Sequence, residues 1–270
     1  MKKVVLITGA SSGIGEATAI LMKEAGYVVY GAARRIERMQ TLYQKGIRVI
    51  EMDVTKDTSM VAGVNTIIEN EGRIDILVNN AGYGSYGALE DVPMSEAKYQ
   101  FEVNVFGLAR LTQLVLPYMR LSKAGKIINV SSIGGSLGAP HGTWYHATKF
   151  AVEGLSDSIR MELKQFGIDV VVIKPGAILT EWSDITQKKM LKVSGETAYG
   201  NLVKKHATML NKYDKQGSDP IVIARVIQKA CEAKCPRTRY AAGRGAKFTM
   251  FARKVLSDKW LDRMLLGLMK

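Results

Sequence analysis

Short apolar runs alternate with longer amphipathic segments along most of the chain. Between the runs lie stretches such as 14–25 and 58–70, in which apolar residues recur every three or four positions. Strands that are almost wholly apolar and alternate with helices are typical of a parallel sheet covered on both faces. Six such strands are predicted: KVVLIT, YVVYGA, RVIEMD, IDILVNN, KIINVSS and DVVVIKP. Because their connections must be right-handed, we predict one doubly wound, Rossmann-like α/β sheet with helices on both faces.

The last third of the chain departs from this alternation. TRYAAG, at 238–243, predicts an additional edge strand, whereas 177–213 has no strand pattern and follows the sixth strand directly. We interpret 177–213 as a helical substrate flap over a site. No linker rich in Pro, Gly or Ser divides the chain, so we predict a single domain over 1–270, with a basic, amphipathic, helical C-terminal tail at 244–270.

The tail has a regular pattern of its own. Ser257 can cap a helix that runs to about residue 270. An apolar stripe on that helix comprises Trp260, Leu261, Met264, Leu265 and Leu268, and another face carries Lys259, Arg263 and Lys270. Residues 241–270 hold seven Lys or Arg and two Asp, a net charge of +5. Two interpretations stay open: the stripe packs on the enzyme itself, or the helix lies in the interface of an anionic membrane.

The charge of the whole chain narrows the choice of partners. A net charge of +13 suits nucleic acid, an anionic membrane or a phosphorylated cofactor. No nucleic-acid-binding motif is visible, so we predict no nucleic-acid partner. The first apolar run is too short and too early for a signal peptide, and no run approaches the roughly 20 residues of a membrane span. We expect a cytoplasmic enzyme, with peripheral membrane contact through the tail as the open alternative.

Metal and disulfide chemistry is not expected. The two cysteines, Cys231 and Cys235, sit four residues apart in a helical pattern and provide no disulfide framework. Two thiols without nearby histidines also make a poor metal site. We assign no role to the three histidines, which are separated in the sequence: His141, His146 and His206.

A glycine-rich stretch, TGASSGIG at 8–15, follows the first strand and opens the first helix. Glycine lets the backbone turn tightly and lets a phosphate come close, while free N–H groups at the helix N-terminus favour an anion. We predict a dinucleotide-binding turn, although a purely structural strand-to-helix turn would have the same context. The predicted contacts are Gly9, Ser11, Ser12, Gly13, Ile14 and Gly15.

The spacing G-x-x-x-G-x-G after Thr8 resembles that of the short-chain dehydrogenase/reductase family, and the resemblance covers roughly residues 3–180. Further landmarks follow in the family's order at the ends of later strands. In the family, the residues after the third strand contact the adenine ring. The resemblance implies additional cofactor contacts at Asp53, Val54, Asn80, Ala81, Gly82, Pro175, Gly176 and Thr180, and at Tyr145 and Lys149.

Tyr145 and Lys149 form a Y-x-x-x-K pair, which a helix places on one face. Hydride transfer to a carbonyl leaves an alkoxide that needs a proton, and the reverse reaction needs a base. The pKa of a free tyrosine, about 10, is too high for a good base at neutral pH, but a nearby lysine favours the phenolate. By itself the pair could be a surface pair; the resemblance implies a catalytic pair, with the lysine also binding the nicotinamide ribose.

Two other catalytic residues follow from the resemblance. Ser132 lies thirteen residues before Tyr145, the usual family spacing, and is preferred over Ser131 as the residue that holds the substrate oxygen. Asn104 resembles the family residue that bends its helix and anchors a proton-relay water. The alternative for Asn104 is a polar residue that faces solvent from the middle of a helix.

The end of the second strand indicates the cofactor. An acidic residue there would bind the adenine-ribose hydroxyls of NAD. This chain has Ala33 followed by Arg34 and Arg35. A guanidinium suits a 2′-phosphate, so we predict NADP, with Arg34 as the main contact and Arg35 in support. Both arginines could instead only begin a solvated helix.

Together these features predict an NADP(H)-dependent oxidoreductase acting on an alcohol or carbonyl substrate. The stretch SSIGGSLGAPHGTWYHATKFAVEGL looks most like the branch containing hydroxysteroid and retinol dehydrogenases, which implies an apolar steroid-, retinoid- or aldehyde/ketone-like substrate. The alternative is a non-catalytic NADP-binding regulator. The family resemblance also implies a homo-oligomer paired through the long helices near Asn104 and Tyr145.

Overall fold

A single parallel sheet of seven strands organises the described residues. The computed structural model describes residues 2–269, apart from the side chains at 213 and 214. The strand order is β3-β2-β1-β4-β5-β6-β7, and every neighbouring pair is parallel. The strands are β1 (Val4–Thr8), β2 (Val28–Ala33), β3 (Arg48–Glu51), β4 (Ile76–Asn79), β5 (Gly125–Val130), β6 (Ile168–Pro175) and β7 (Arg239–Ala242). The doubly wound sheet and its seventh edge strand are confirmed.

Helices cover both faces of this sheet. Their bounds are α1 (Gly13–Glu24), α2 (Gln40–Gln44), α3 (Asp57–Glu71), α4 (Met94–Phe101), α5 (Gly107–Leu121), α6 (Thr143–Leu163), α7 (Glu181–Ser194), α8 (Gly200–Asp214), α9 (Pro220–Glu232), α10 (Ala246–Val255) and α11 (Asp258–Gly267). Alternate residues of β1 enter two different apolar clusters: Val5 joins the cluster that contains residues of α1 and α9, and Leu6 joins the one that contains residues of α3 and α5. This division explains why the strands are apolar on both sides.

The strand order reverses next to β1, which pairs with β2 on one side and β4 on the other. In doubly wound sheets this reversal opens a crevice at the carboxyl ends of the strands. The glycine-rich turn follows β1, and the motif NNAG begins at the end of β4. The sequence motifs therefore meet at the edge of the sheet where a ligand is expected.

The segment 177–213 contains α7 and most of α8, in agreement with the predicted helical content. One isolated bridge, Ile178 to Ser218, connects its start to the residues before α9. Its role as a substrate flap stays a prediction.

The predicted helical character of the C-terminal tail is confirmed. It forms two helices, and an extended residue, Leu256, separates α10 from α11. Ser257 precedes α11 as predicted, although its side chain makes no capping hydrogen bond. Along the predicted apolar stripe, Leu261 is buried, whereas Trp260 and Leu268 are 60% and 47% exposed. Lys270, assigned to the basic face, lies outside the described residues.

No helix within 2–269 combines the length and the apolar character that a membrane span requires.

Candidate active site

The turn between β1 and α1 has room for a ligand because three glycines form it. Gly9 and Gly13 have positive φ angles of 66° and 58°, a region that favours glycine. A Cβ atom on Gly15 would lie 2.2 Å from the carbonyl oxygen of Gly9, so a side chain cannot replace its hydrogen. The backbone N–H groups at the start of α1 are thus approachable, as anion binding at a helix N-terminus requires.

A cavity of about 640 Å³ opens above this turn. The cavity is lined by Ser11, Ser12 and Gly13 of the turn. Thr180 also lines it, and its side chain lies beside Gly13. Ile14 packs instead toward the core cluster that contains β1. The glycine cradle, the helix N-terminus and the cavity fit the diphosphate of a dinucleotide.

Two exposed arginines follow β2 at the far end of this region. The Arg34 guanidinium donates to the hydroxyl of Tyr99 over 2.6 Å, which holds it beside α4. Arg35 is exposed and lies within electrostatic range of Glu181. Arg38, which the sequence analysis did not single out, pairs with Glu181 at 2.5 Å and lines the cavity. This ion pair joins the start of the predicted flap to the cofactor side of the molecule.

The ends of β3, β4 and β6 place the other predicted cofactor residues at the same edge. Asp53 and Val54 are half-buried just after β3, and Asp53 accepts hydrogen bonds from Thr55. After β4, the Asn80 amide donates to the carbonyl oxygen of Thr8 over 2.9 Å, which ties this loop to the glycine-rich turn. The remaining positions are Ala81 and Gly82 beyond β4, and Pro175 and Gly176 at the end of β6.

The Y-x-x-x-K pair projects from α6 into the interior, where Tyr145 is 9% and Lys149 is 6% exposed. The Tyr145 hydroxyl is hydrogen-bonded to Ser132, and the Ser132 hydroxyl also accepts from the N–H of Gly134 over 3.0 Å. Ser131 is buried, and its hydroxyl has no hydrogen-bond partner among residues 2–269. The structure therefore places Ser132, rather than its neighbour, against the tyrosine.

Lys149 lies close to this hydroxyl pair. Its ammonium group donates to the carbonyl oxygen of Val130 over 3.0 Å and lies 5.8 Å from the ring centroid of Tyr145. A Cβ atom on Gly82 would be 3.9 Å from the same ammonium group. The lysine thus connects β5, the tyrosine and the loop that follows β4.

Burial sets the protonation of the pair. It raises the pKa of Tyr145 to about 12, and the hydrogen bond from Ser132 opposes the rise only in part. Burial also lowers the pKa of Lys149 to about 8, while the carboxylate of Glu153 opposes the fall. The tyrosine pKa therefore shifts upward rather than downward as expected, because burial outweighs the effect of nearby groups. At neutral pH Tyr145 holds its proton and can donate it.

Asn104 lies where the helical path from α4 to α5 widens into one π-helical turn, Glu102–Phe106. A π-turn is a known cause of a helix bend and often marks a functional site. The Asn104 amide accepts from the N–H of Tyr83 and donates to its carbonyl oxygen, both over 2.8 Å, and it also donates to Thr148. Asn104 is 2% exposed, so the solvent-facing alternative is wrong.

An aromatic cover over Tyr145 was not predicted. The ring centroid of Trp182, at the start of α7, lies 5.2 Å from that of Tyr145, and the ring of Tyr86 lies 5.6 Å away. The two covering rings meet edge to face at 5.8 Å. The only signal in the sequence was the position of Trp182 near the start of the predicted flap.

The three histidines gather beside this cover. The Nδ1 atoms of His141 and His206 are 3.0 Å apart, and the Nδ1 atom of His146 is 2.9 Å from the carbonyl oxygen of Gly134. Burial lowers the pKa of each histidine, that of His206 to about 4. Because His141 and His206 are 65 residues apart, sequence spacing gave no indication of their contact.

Comparison with known families agrees with this geometry. The model of a family described as short chain dehydrogenase matches residues 3–190. The chain belongs to this family. A short chain dehydrogenase is an oxidoreductase that acts on alcohol or carbonyl groups and binds a nicotinamide dinucleotide. Among the described residues no group of His, Cys, Asp or Glu could hold a metal ion.

Two relatives of this short chain dehydrogenase have named activities. A 3-ketodihydrosphingosine reductase of Bacteroides thetaiotaomicron is 36% identical over 265 residues, which cover 97% of this chain and 95% of the relative. An NADPH-dependent 3-dehydrocapnine reductase of Ornithobacterium rhinotracheale is 32% identical over 269 residues, which cover 96% of this chain and 94% of the relative. Both relatives match this chain over nearly its whole length.

Several solved structures share the fold of this chain, and two of them hold a nicotinamide dinucleotide. A short-chain dehydrogenase from Streptomyces avermitilis is 33% identical, with a TM-score of 0.79 over 99% of this chain and 95% of that one. A serine dehydrogenase complexed with NADP+ is 26% identical, with a TM-score of 0.76 over 89% and 94% of the two chains. A Burkholderia phymatum enzyme in complex with NAD is 26% identical, with a TM-score of 0.74 over 85% of each chain.

Proposed function

We propose that this short chain dehydrogenase reduces a ketone on a long apolar molecule with NADPH. The observation that carries the proposal is the buried cluster of Ser132, Tyr145 and Lys149, in which a protonated phenol is hydrogen-bonded to a serine hydroxyl. A protonated phenol suits reduction, because the product alkoxide needs a proton. A bound nicotinamide supplies the hydride, and the protein positions the reactants and moves the proton.

Each residue of the cluster has a distinct role in this proposal. Ser132 holds the substrate oxygen, and Tyr145 gives that oxygen its proton. Lys149 keeps a positive charge 5.8 Å from the phenol ring, which favours proton release at the moment of transfer. Asn104 fixes the loop at Tyr83 through paired hydrogen bonds and so positions the wall of the site.

The choice of NADP rests on charge at the end of β2. Arg34 and Arg35 are exposed there, where an acidic residue would select NAD. Arg34 is held by Tyr99 in an accessible position. The Ornithobacterium relative, an NADPH-dependent reductase, agrees with this choice.

The substrate class is inferred from the apolar side chains that the predicted flap packs beside the catalytic hydroxyls. Trp182, Met190 and Val203 of this segment form a buried apolar cluster with Tyr86 and Tyr145. The ketone named for the Bacteroides relative, 3-ketodihydrosphingosine, carries a long alkyl chain that apolar surroundings suit. Steroids and retinoids, expected from the sequence, are the competing apolar substrates.

The test is a set of NADPH-oxidation assays with 3-ketodihydrosphingosine, a steroid ketone, retinal and a short aliphatic ketone. We expect turnover with the long-chain ketone and a loss of at least ~10²-fold in Tyr145→Phe, the scale of general acid–base catalysis. NADPH affinity should hardly change in that variant. Tyr43→Phe, at an exposed tyrosine on α2, is the matched control.

Two results would contradict the proposal. Near-normal turnover in Tyr145→Phe would remove the proton donor from its role. Tight NADPH binding without oxidation by any substrate class would instead favour the alternative function, an NADP-binding regulator.

We also infer a homo-oligomer paired through α5 and α6. These helices leave large apolar side chains in contact with solvent, among them Leu121, Phe150 and Met161. Such side chains are expected at a subunit contact. Location in the cytoplasm stays a prediction of the sequence.

A further inference from the structure

Helix α10 presents an apolar face to solvent. Phe248, Phe251 and Val255 are 64%, 64% and 56% exposed, and their spacing of three and four residues puts them on one side of the helix. Ala246 and Ala252 of the same helix are buried. The small residues thus pack on the enzyme, while the two aromatic rings point away from it. This distribution is opposite to that of a helix that only closes a core.

Helix α11 continues the same character. Leu261 packs inward, but Trp260 is 60% and Leu266 is 44% exposed. The guanidinium of Arg263 lies 5.2 Å from the Trp260 ring centroid. Tryptophan beside a basic residue is common where a protein meets the boundary between lipid and water.

Basic residues border the apolar side chains. Lys247 and Lys254 are exposed and, seven residues apart, lie along one edge of the apolar side of α10, and Lys259 lies on α11. Within residues 2–269 none of these lysines forms an ion pair; in the tail the recorded pair is Arg253 with Asp258. Their charges are therefore available to an anionic surface, and their alkyl chains can extend along it.

We propose that the face formed by Phe248, Phe251, Val255 and Trp260 lies in the interface of an anionic membrane. An apolar centre with basic borders matches the acyl chains and anionic headgroups of such a surface. A second copy of the chain fits less well, because a contact between two such faces would bring two sets of unpaired lysines into one interface. This docking goes beyond the proposed reaction and does not depend on it.

Helix α10 lies at the edge of the sheet that carries the candidate active site, so docking would bring that site near the membrane. The helix follows the carboxyl end of β7, the edge of the sheet that carries the candidate active site. The Arg253 guanidinium donates to the carbonyl oxygen of Ser136 over 3.1 Å, four residues beyond Ser132. A docked tail would hold this edge of the enzyme near the lipid.

The experiment is sedimentation of the full chain with phosphatidylcholine vesicles, with and without phosphatidylglycerol. We expect pelleting with the anionic vesicles and less pelleting at high salt. Phe248→Gln/Phe251→Gln should lower the partition coefficient at least ~10-fold, because two exposed rings no longer enter the lipid. Tyr43→Gln, with the same 64% exposure on α2, is the matched control and should pellet like the unchanged protein.

A charge reversal tests whether the basic residues bind the anionic headgroups. Lys247→Glu/Lys254→Glu should remove the preference for anionic vesicles. Lys45→Glu/Lys56→Glu, before and after β3 at the edge of the sheet opposite β7, is the control and should keep that preference. Circular dichroism checks the fold of each variant. An intact protein that stays in the supernatant with anionic vesicles at low salt would overturn the proposal. A Phe248→Gln/Phe251→Gln variant that pellets normally would also overturn it, as would one that has a smaller oligomeric state than the unchanged protein in the absence of lipid.

Discussion

At the scale of single residues, Arg34 is the simplest test of cofactor choice. It lies exposed after β2, with its guanidinium bound to the Tyr99 hydroxyl. A charge-assisted hydrogen bond contributes roughly 1.5–3 kcal/mol, so Arg34→Ala should weaken NADPH binding about 10- to 100-fold. NADH binding should stay nearly constant, because NADH has no 2′-phosphate. Fluorescence titration of both cofactors measures the difference, and equal losses would rule out phosphate recognition.

Lys149 illustrates a residue whose burial opposes stability. Its folded pKa, about 8, lies below the unfolded value, so the unfolded state binds more protons between about pH 8 and 10.5. The free energy of unfolding should therefore rise with pH across this window. Lys149→Met should remove that rise, increase stability at pH 7 by about 1–3 kcal/mol and abolish turnover. Urea denaturation at several pH values measures the free energy of unfolding. Lys164→Met, at an exposed lysine, is the control. Unchanged stability in Lys149→Met would contradict the burial argument.

The catalytic residues of the site were easier to predict from the sequence than the side chains that surround them. Tyr145, Lys149 and Ser132 could be located because helix geometry and family spacing connect residues near one another in the chain. Trp182 and His206 could not, because their neighbours come from distant segments. The protonation of Tyr145 was also wrong in direction, since burial is a property of the folded molecule and outweighed the nearby charge.

At the scale of elements, the contact between α8 and the loop before α6 should respond to acid. His206 and His141 face each other there, with His146 and the ring of Tyr86 beside them. Burial and the neighbouring histidines lower the pKa of His206 to about 4, below its unfolded value near 6.5. The undocked state therefore binds more protons between these values, and docking should weaken as pH falls from about 6.5 to 4.

Hydrogen exchange of 200–212 measures this weakening. Protection of α8 should decrease as the pH falls from about 6.5 to 4 in the unchanged protein. The decrease should be smaller in His206→Gln, which keeps only one of the two facing imidazoles, because His141 can still gain a proton. Protection of α1, which carries no histidine, is the internal control. An identical pH response in the variant would assign the effect to other groups.

Strands were easier to predict than the tail. The six inner runs were recognised because both faces of each strand are buried, which leaves an apolar signature of its own. In the tail, the helical content was predicted, but the break between α10 and α11 and the division of the apolar side chains between the enzyme and solvent were not. The tail forms two short amphipathic helices that leave several large apolar side chains exposed, so their patterns did not indicate which residues are buried.

At the scale of the whole molecule, the topology followed from few observations. Right-handed connections between parallel strands leave few possible sheets, and glycine after β1 selects the doubly wound one. The binding partners of the folded molecule could not be predicted in the same way. The exposed side chains of α5, α6 and α10 have their positions fixed by the fold, but a single sequence does not distinguish a subunit contact from a lipid contact at any of them.

The strand order also has a consequence for the protein during its synthesis. β6 ends at Pro175, and its outer neighbour β7 begins at Arg239. At about 5–20 residues per second, the intervening stretch takes roughly 3–13 s to translate. Throughout that interval the nascent chain carries an apolar strand, IDVVVIKP, with one edge unpaired. Unpaired apolar edges readily join other chains, so the period before the final strand emerges is when this protein most needs a chaperone.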